Sequence, residues 1–239
     1  MYFFRTTRGP VDLSFTDRYG GVSASPFDEL NLAIEGDDSP EACAENLRIV
    51  LDDFAPGDRH ADLRQVHGDR VLVAEEHDGP GRPEADGLVT DRPGVVLVVR
   101  AADCVPVLFC DEAGTVVGAA HCGRPGLVAG VVPATVARMR DLGAGDLTAW
   151  IGPHVCGACY EVPAALQTEV GALEPASVAT TSWGTPALDL GAGVRAQLER
   201  ERVTVVEASA CTRESPDLYS YRRDGAGAGR LAGLVRIRP

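Results

Sequence analysis

The chain of 239 residues contains no lysine, and all 22 of its basic residues are arginines. That excludes chemistry through a Schiff-base lysine and the phosphate loop that depends on one, and it directs any anion recognition to arginine forks or backbone amides. Basic charge is scarce as well. The formal net charge of −13 argues against a nucleic-acid duplex as partner, because a polyphosphate needs a basic face. Apolar runs are too short to span a bilayer, and Met1-Tyr2-Phe3-Phe4-Arg5 lacks the basic start and long apolar stretch of a secretory signal, so a cytoplasmic protein is expected. Low-complexity tracts and internal repeats are also missing. Seven cysteines form an odd set, which fits free thiols better than a disulfide framework.

A hydrophobic fraction of 45% in a chain of this length is enough for a sizeable core, and one domain over residues 1–239 is expected. Two strands broken by Arg8-Gly9-Pro10 open the chain. A helix is predicted over residues 39–53, with Ser39 as N-cap, Pro40 in the first turn, and Ala42, Leu47 and Val50 facing a core. Strands are predicted over residues 70–74 and 87–90, with residues 75–84 a loop in which His77 is a surface residue. Residues 95–111 read as two strands around Ala102-Asp103-Cys104, the second at an edge or irregular because of Pro106. Residues 127–142 read as a helix kinked or split at Pro133, and 189–202 as another helix. Strands at 147–151, 203–208 and 231–237 complete a mixed pattern without strict βαβ alternation.

Three short segments carry the chemistry: Gln65-Val66-His67-Gly68, Ala102-Asp103-Cys104-Val105-Pro106 and Ala119-Ala120-His121-Cys122-Gly123. The apolar runs Val95 to Val99 and Thr115 to Ala120 lead straight into Cys104 and His121, which places both at the carboxyl ends of buried strands. Two imidazoles and a thiolate suit a zinc ion with one position left open. Spacing alone does not demand it, since a lone Cys in an apolar run is usually core and a lone His a satisfied polar group.

Other constellations are weaker. Cys156-Gly157-Ala158-Cys159 could be half a zinc knuckle or a redox pair, but no second CxxC exists and the preceding Gly152-Pro153-His154 suggests a loop. Cys110-Asp111-Glu112 with that pair imitates a zinc nucleobase deaminase only faintly, because Val155 stands where proline is needed. The run from Gly225 to Arg230 precedes a strand and reads as a turn. Arg222 and Arg223, beside Tyr219 and Tyr221, could offer a fork to an anion or form a structural ion pair.

The three segments, together with Thr16-Asp17-Arg18-Tyr19-Gly20-Gly21-Val22-Ser23, Asn31-Leu32, Ala85-Asp86-Gly87-Leu88-Val89-Thr90, Ile151-Gly152-Pro153, Cys159-Tyr160-Glu161-Val162 and Ser220-Tyr221-Arg222-Arg223-Asp224-Gly225, resemble the family known as polyphenol oxidase or laccase-like, peptidoglycan editing factor, or purine nucleoside phosphorylase. The resemblance covers nearly the whole chain. It implies an α+β fold with mixed β-sheets layered between helices, and zinc on His67, Cys104 and His121. It also implies phosphorolysis of adenosine, inosine or methylthioadenosine, with adenosine deamination as a second activity. The small-molecule partners would be a nucleoside and phosphate, the latter held by Arg100, Arg124, Arg222 or Arg223, while Asp103 could orient a metal ligand.

Alternatives from other classes are a peptidoglycan-precursor hydrolase using Cys104 with His67 or His121 as base, a copper-dependent polyphenol oxidase, and a catalytically weak metal-binding protein. Copper could occupy a His2Cys set, but five histidines in all are too few for a full multicopper cluster beside it. The family reads His-Ala-Gly-Trp-Arg-Gly where this chain has His121-Cys122-Gly123-Arg124-Pro125-Gly126. The expected consequence is intact metal ligands beside a wall that has lost an aromatic and shifted a cation, and hence weaker turnover.

Overall fold

A computed structural model describes residues 1–74 and 81–239; His77 and most of the loop expected over 75–84 lie outside the described residues. In chain order the elements are β1 (Tyr2–Arg8), β2 (Val11–Thr16), α1 (Pro40–Phe54), β3 (Arg59–Ala61), β4 (Val71–Val73), β5 (Gly87–Thr90), β6 (Val95–Ala101), β7 (Val105–Asp111) and β8 (Val117–Cys122). They continue with α2 (Arg124–Ala129), α3 (Val131–Asp141), β9 (Leu147–Ile151), α4 (Ala164–Leu173), β10 (Val178–Thr180), β11 (Pro186–Leu188), α5 (Leu190–Arg200), β12 (Thr204–Glu207), α6 (Tyr221–Asp224) and β13 (Leu231–Ile237).

Two mixed sheets dominate, a five-stranded one in the order β1-β2-β13-β6-β3 and a six-stranded one in the order β12-β9-β7-β8-β5-β4. The period-two alternation of strand side chains decides how they stack. Val95, Leu97 and Val99 of β6 pack with Leu108, Val117 and Ala119 of the other sheet in one apolar layer. Val96 and Val98 face the opposite way, onto Val50 and Phe54 of α1. On the far side, Val107 and Phe109 of β7 meet Leu127, Val136, Met139 and Val194 from α2, α3 and α5. The result is the expected α+β fold, helix, sheet, sheet, helix in four layers.

The N-terminus of α1 forms as its sequence dictates: Ser39 Oγ accepts the Ala42 N–H at 3.3 Å, and Pro40 occupies the first turn, where its missing N–H costs nothing. Two expectations are corrected. Pro106 does not make β7 an edge strand, for β7 runs between β8 and β9 in the middle of its sheet. Its carbonyl accepts the Gly152 N–H at 2.9 Å, and the Gly152 carbonyl, left without the proline's N–H, accepts from His154 Nδ1 at 2.8 Å. The helix break falls at Gly130, not Pro133: Gly130 has φ 91°, a left-handed conformation open to glycine, and Pro133 sits harmlessly in the first turn of α3. The short strand β3, helix α4 and the β10–β11 hairpin had no sequence signal strong enough to announce them.

Phe15, buried in the layer between the sheets, has its ring edge against Gly152 and Gly233. A methyl group at Gly152 would intrude on three ring atoms that have no room to retreat. Gly152→Ala should therefore destabilise the fold by about 1–3 kcal/mol. In urea unfolding the midpoint should fall at unchanged slope; an unaltered midpoint would show that the ring is free to move.

Candidate metal centre and cavity

One edge of the sheets, where β3, β6 and β8 end and β7 and β13 begin, opens into a cavity of about 690 Å³. His67, Cys104 and His121 lie together in its wall. Their ligand atoms are all within 4.8 Å of one another, with Cys104 Sγ 3.8 Å from His67 Nε2 and the two imidazole rings edge-on at 75°. His121 is near the end of β8 and only 3% exposed, Cys104 lies in the β6–β7 turn, and His67 comes from the loop after β3. Closeness of this kind requires a small neighbour: a Cβ on Gly123 would fall 2.5 Å from His67 Cδ2 and 3.0 Å from Cys104 Sγ. Two imidazole nitrogens and a soft thiolate converging beside open space fit a zinc-type ion with one free position.

The group that assembles the trio is Asp86, fully buried just before β5. Its carboxylate accepts the backbone N–H groups of Val66, His67 and Gly68 at 3.1, 3.0 and 2.7 Å and His121 Nδ1 at 2.8 Å. One side chain thus fixes both the loop that carries His67 and the ring orientation of His121, leaving His121 Nε2 for the cavity side. His67 adopts φ 61°, a left-handed conformation that the three N–H bonds hold in place. Burial alone would push the Asp86 carboxyl up, but His121 and the backbone N–H groups outweigh it and hold the group below the usual carboxylate range.

Cys104 and His121 titrate as a coupled pair. Burial disfavours both charged forms, yet the neighbouring imidazoles pull the Cys104 thiol down to about 6, while the Cys104 thiolate and Asp86 raise His121 to about 9. Free of metal, the site therefore holds a thiolate–imidazolium pair between those values.

Asp103 has a different role from the one expected. Its side chain does not bond to a ligand side chain; Oδ1 accepts from Thr212 Oγ1 and Oδ2 from the Arg222 N–H, both at 2.6 Å, and its carbonyl accepts the Val155 N–H at 3.1 Å. These bonds hold φ 88° at Asp103 and so set the turn that presents Cys104.

The four arginines singled out by sequence separate. Arg100 is 5% exposed and borders the cavity; its Nε donates to the Leu32 carbonyl at 2.6 Å and Nη2 to Asp62 at 2.8 Å, while Nη1 is buried without a partner. Gln65 braces the backbone behind it, donating to the Arg100 carbonyl and accepting its N–H. Arg222 also borders the cavity, stacked 4.4 Å over the ring of Tyr160. Arg223 instead donates to the carbonyls of Thr212, Ser215 and Leu218 and pairs with Asp224, the structural role. Arg124 is the first residue of α2 and not part of the cavity lining. The missing tryptophan does not leave the cavity without aromatics, because Tyr160 and Tyr221 line it. Arg230, just before β13, is a further lining cation that sequence reasoning passed over within an apparent turn.

Fold and centre together define an α+β protein with a thiolate–diimidazole site at the edge of two packed sheets. The chain belongs to the multi-copper polyphenol oxidoreductase laccase family, whose model matches residues 12–238. It is 49% identical over 97% of both chains to a Streptomyces coelicolor protein named purine nucleoside phosphorylase. A Mycobacterium tuberculosis protein of the same name is 44% identical over 92% of this chain and 89% of its own. Among solved structures it resembles a Neisseria meningitidis protein of the DUF152 family, at TM-score 0.89 and 35% identity over 99% of both chains. YfiH of Bacillus licheniformis follows at TM-score 0.86 and 28% identity, over 95% of this chain and 93% of that one. No helix among the described residues is long and apolar enough to cross a membrane.

Asp86→Asn removes the charge that aligns His121 and turns an amide N–H toward backbone donors. Metal affinity should fall about 10–100-fold, measured by competition with a chromophoric chelator; unchanged affinity would mean that Asp86 is only structural. In metal-free protein, alkylation of Cys104 should approach its plateau above about pH 6 and decline as the pH falls through that value, since the depressed thiol is protonated there. Cys43, pushed up to about 11 by burial and by Asp38, should react only at far higher pH. Mass spectrometry of alkylated peptides separates the two, and a Cys104 profile rising only above pH 8 would contradict the pairing.

Proposed function

We propose that this chain is a cytoplasmic purine nucleoside phosphorylase acting on adenosine, inosine and methylthioadenosine, with zinc on His67, Cys104 and His121 and with adenosine deamination as a second activity of the same cavity. The observation that carries the reading is a single cavity lined both by His67, Cys104 and His121 and by the buried Arg100 with Arg222 and Arg230. Guanidinium groups at the border of a confined cavity suit a small anion such as phosphate held beside the candidate metal ligands. The names of the relatives point the same way.

In phosphorolysis a phosphate oxygen forms a bond to the ribose C1′ as the bond from C1′ to the base nitrogen breaks, and the base leaves with that electron pair and takes up a proton. Zinc, when bound, supplies a Lewis acid at the cavity wall. Arg100 cannot swing, because Leu32 and Asp62 fix Nε and Nη2, so its charge borders the cavity in a constant orientation. Arg230 adds positive charge to the same wall. Tyr160, one face of which Arg222 covers, and Tyr221 bring two rings to the lining, the kind of surface on which a purine stacks. The cavity volume suits a nucleoside with phosphate.

The donor inventory supports zinc chemistry over a multicopper oxidase. Apart from His67 and His121, the described histidines are His60 and His154, and His154 is spent on the Gly152 carbonyl. A metal-free thiol hydrolase acting on a peptidoglycan precursor is the second reading, supported by the 3.8 Å approach of Cys104 Sγ to His67 Nε2.

Inosine incubated with the zinc-loaded protein should release hypoxanthine and ribose 1-phosphate only when phosphate is present, and chelation should stop it. Arg230→Gln should raise the KM for phosphate about 10–100-fold, the worth of one charged hydrogen bond of about 1.5–3 kcal/mol. Base release that ignores phosphate would sink the phosphorylase reading, and retained amide hydrolysis after complete metal removal would favour the thiol hydrolase.

A further inference from the structure

The CxxC pair finds the partners that its own neighbourhood lacks. Cys156, Cys159, Cys211 and Glu214 present three sulfurs and a carboxylate oxygen that all lie within 4.8 Å of one another, and all three cysteines are free. The first two belong to a tight turn in which the Cys159 and Tyr160 N–H groups donate to the Cys156 carbonyl; the others belong to a second turn closed by Ser215 N–H on the Cys211 carbonyl. The Cys156 N–H points at Cys211 Sγ, 3.4 Å away, and Cys159 Sγ lies 3.5 Å from Glu214 Oε1. Sulfur ligands around one tetrahedral zinc at about 2.3 Å stand about 3.8 Å apart, so the cluster closes on an ion with sub-ångström adjustment. Two turns each giving two ligands, with a backbone N–H aimed at a sulfur, is the arrangement of a closed structural site. Arg213, stacked over Trp183, stands beside the cluster, where its charge offsets the excess negative charge that three thiolates and a carboxylate leave on a divalent cation.

We propose that Cys156, Cys159, Cys211 and Glu214 form a second, structural zinc site, separate from His67, Cys104 and His121, that clamps residues 154–160 to residues 210–215. The clamp has a purpose legible in the hydrogen bonds. Val155, immediately before Cys156, donates to the Asp103 carbonyl, and Thr212, immediately after Cys211, donates to the Asp103 carboxylate. Both segments are therefore the supports of the turn that presents Cys104. A bridge between His154 and Cys211 ties them at the backbone, and the metal fixes them at the side chains.

The experiment uses the full chain purified under reductant, with zinc and then cobalt as probes. Native protein should bind two zinc ions per chain and the His67→Ala/His121→Ala variant one. Cobalt in that double variant should give intense tetrahedral bands with thiolate charge transfer, and zinc should protect Cys156, Cys159 and Cys211, but not Cys104, from alkylation. Cys156→Ser/Cys211→Ser should lose one equivalent and keep the other. Should that variant fail to fold, the protection pattern in the His67→Ala/His121→Ala protein decides alone. A double histidine variant that binds no zinc, or whose three thiols alkylate at equal rates with and without zinc, overturns the proposal, as does a disulfide within the cluster persisting under reductant.

Discussion

The site depends on one buried carboxylate. Asp86 gathers three consecutive backbone N–H groups and one imidazole nitrogen, and each of those bonds is charge-assisted, the one to His121 buried and the three to the backbone part-buried. Burial of an isolated carboxylate would be prohibitive. Here four donors replace its hydration, and the cost of burying it becomes the force that holds the His67 loop in a left-handed conformation. The His67 loop has no strand to define it: Gln65 and the backbone bonds of Arg64 and Arg70 anchor its ends, and Asp86 fixes the three residues between that carry the imidazole.

The second ligand is governed by the same logic on a larger scale. Cys104 sits in a three-residue turn between two strands whose ends are rigid, since β6 and β7 are buried along their whole length and central to separate layers. Rigid strand ends set the position of the turn to within a residue, but not its conformation. Asp103 supplies that, held at its carbonyl and at both carboxylate oxygens from segments 50 to 120 residues further along the chain. Two acidic residues therefore organise two ligands by opposite routes, Asp86 through the backbone of another loop and Asp103 through its own.

Much of this was legible in the chain. The helix α1 begins where Ser39 and Pro40 say it must, strands 87–90, 147–151 and 231–237 match their apolar runs, and His67, Cys104 and His121 are close in space as their family blocks implied. What escaped was nonlocal. Asp86 carries no local sign of its role, because its partners lie 18 to 35 positions away. The missing donor of Pro106 predicts an edge strand, whereas the acceptor opposite is satisfied by His154, a compensation no local rule contains. Arg100 is legible as a cation near the site, yet its fixed orientation follows from Leu32 and Asp62 holding Nε and Nη2, residues 68 and 38 positions earlier. The CxxC unit looked incomplete because its complement is 55 residues later and reads Cys-x-x-Glu.

The acidic balance of the chain and the arginines at its cavity are two scales of the same electrostatics. A net charge of −13 spread over a surface is screened within about 8–10 Å at physiological salt. It repels a polyanion that must contact a broad face, but it acts weakly on a small anion already inside a cavity. There the nearby charges decide, and Arg100, Arg222 and Arg230 share the lining with Glu35, Asp103 and the His67, Cys104 and His121 side chains. Arg64 also borders the cavity but is paired with Glu84 at 2.9 Å, so its charge is offset at the rim. Arg100 is half neutralised by Asp62 and held by it. That pairing fixes position: a guanidinium whose Nε and Nη2 are committed to Leu32 and Asp62 keeps a single orientation at the cavity border, so its charge stays where the fold puts it.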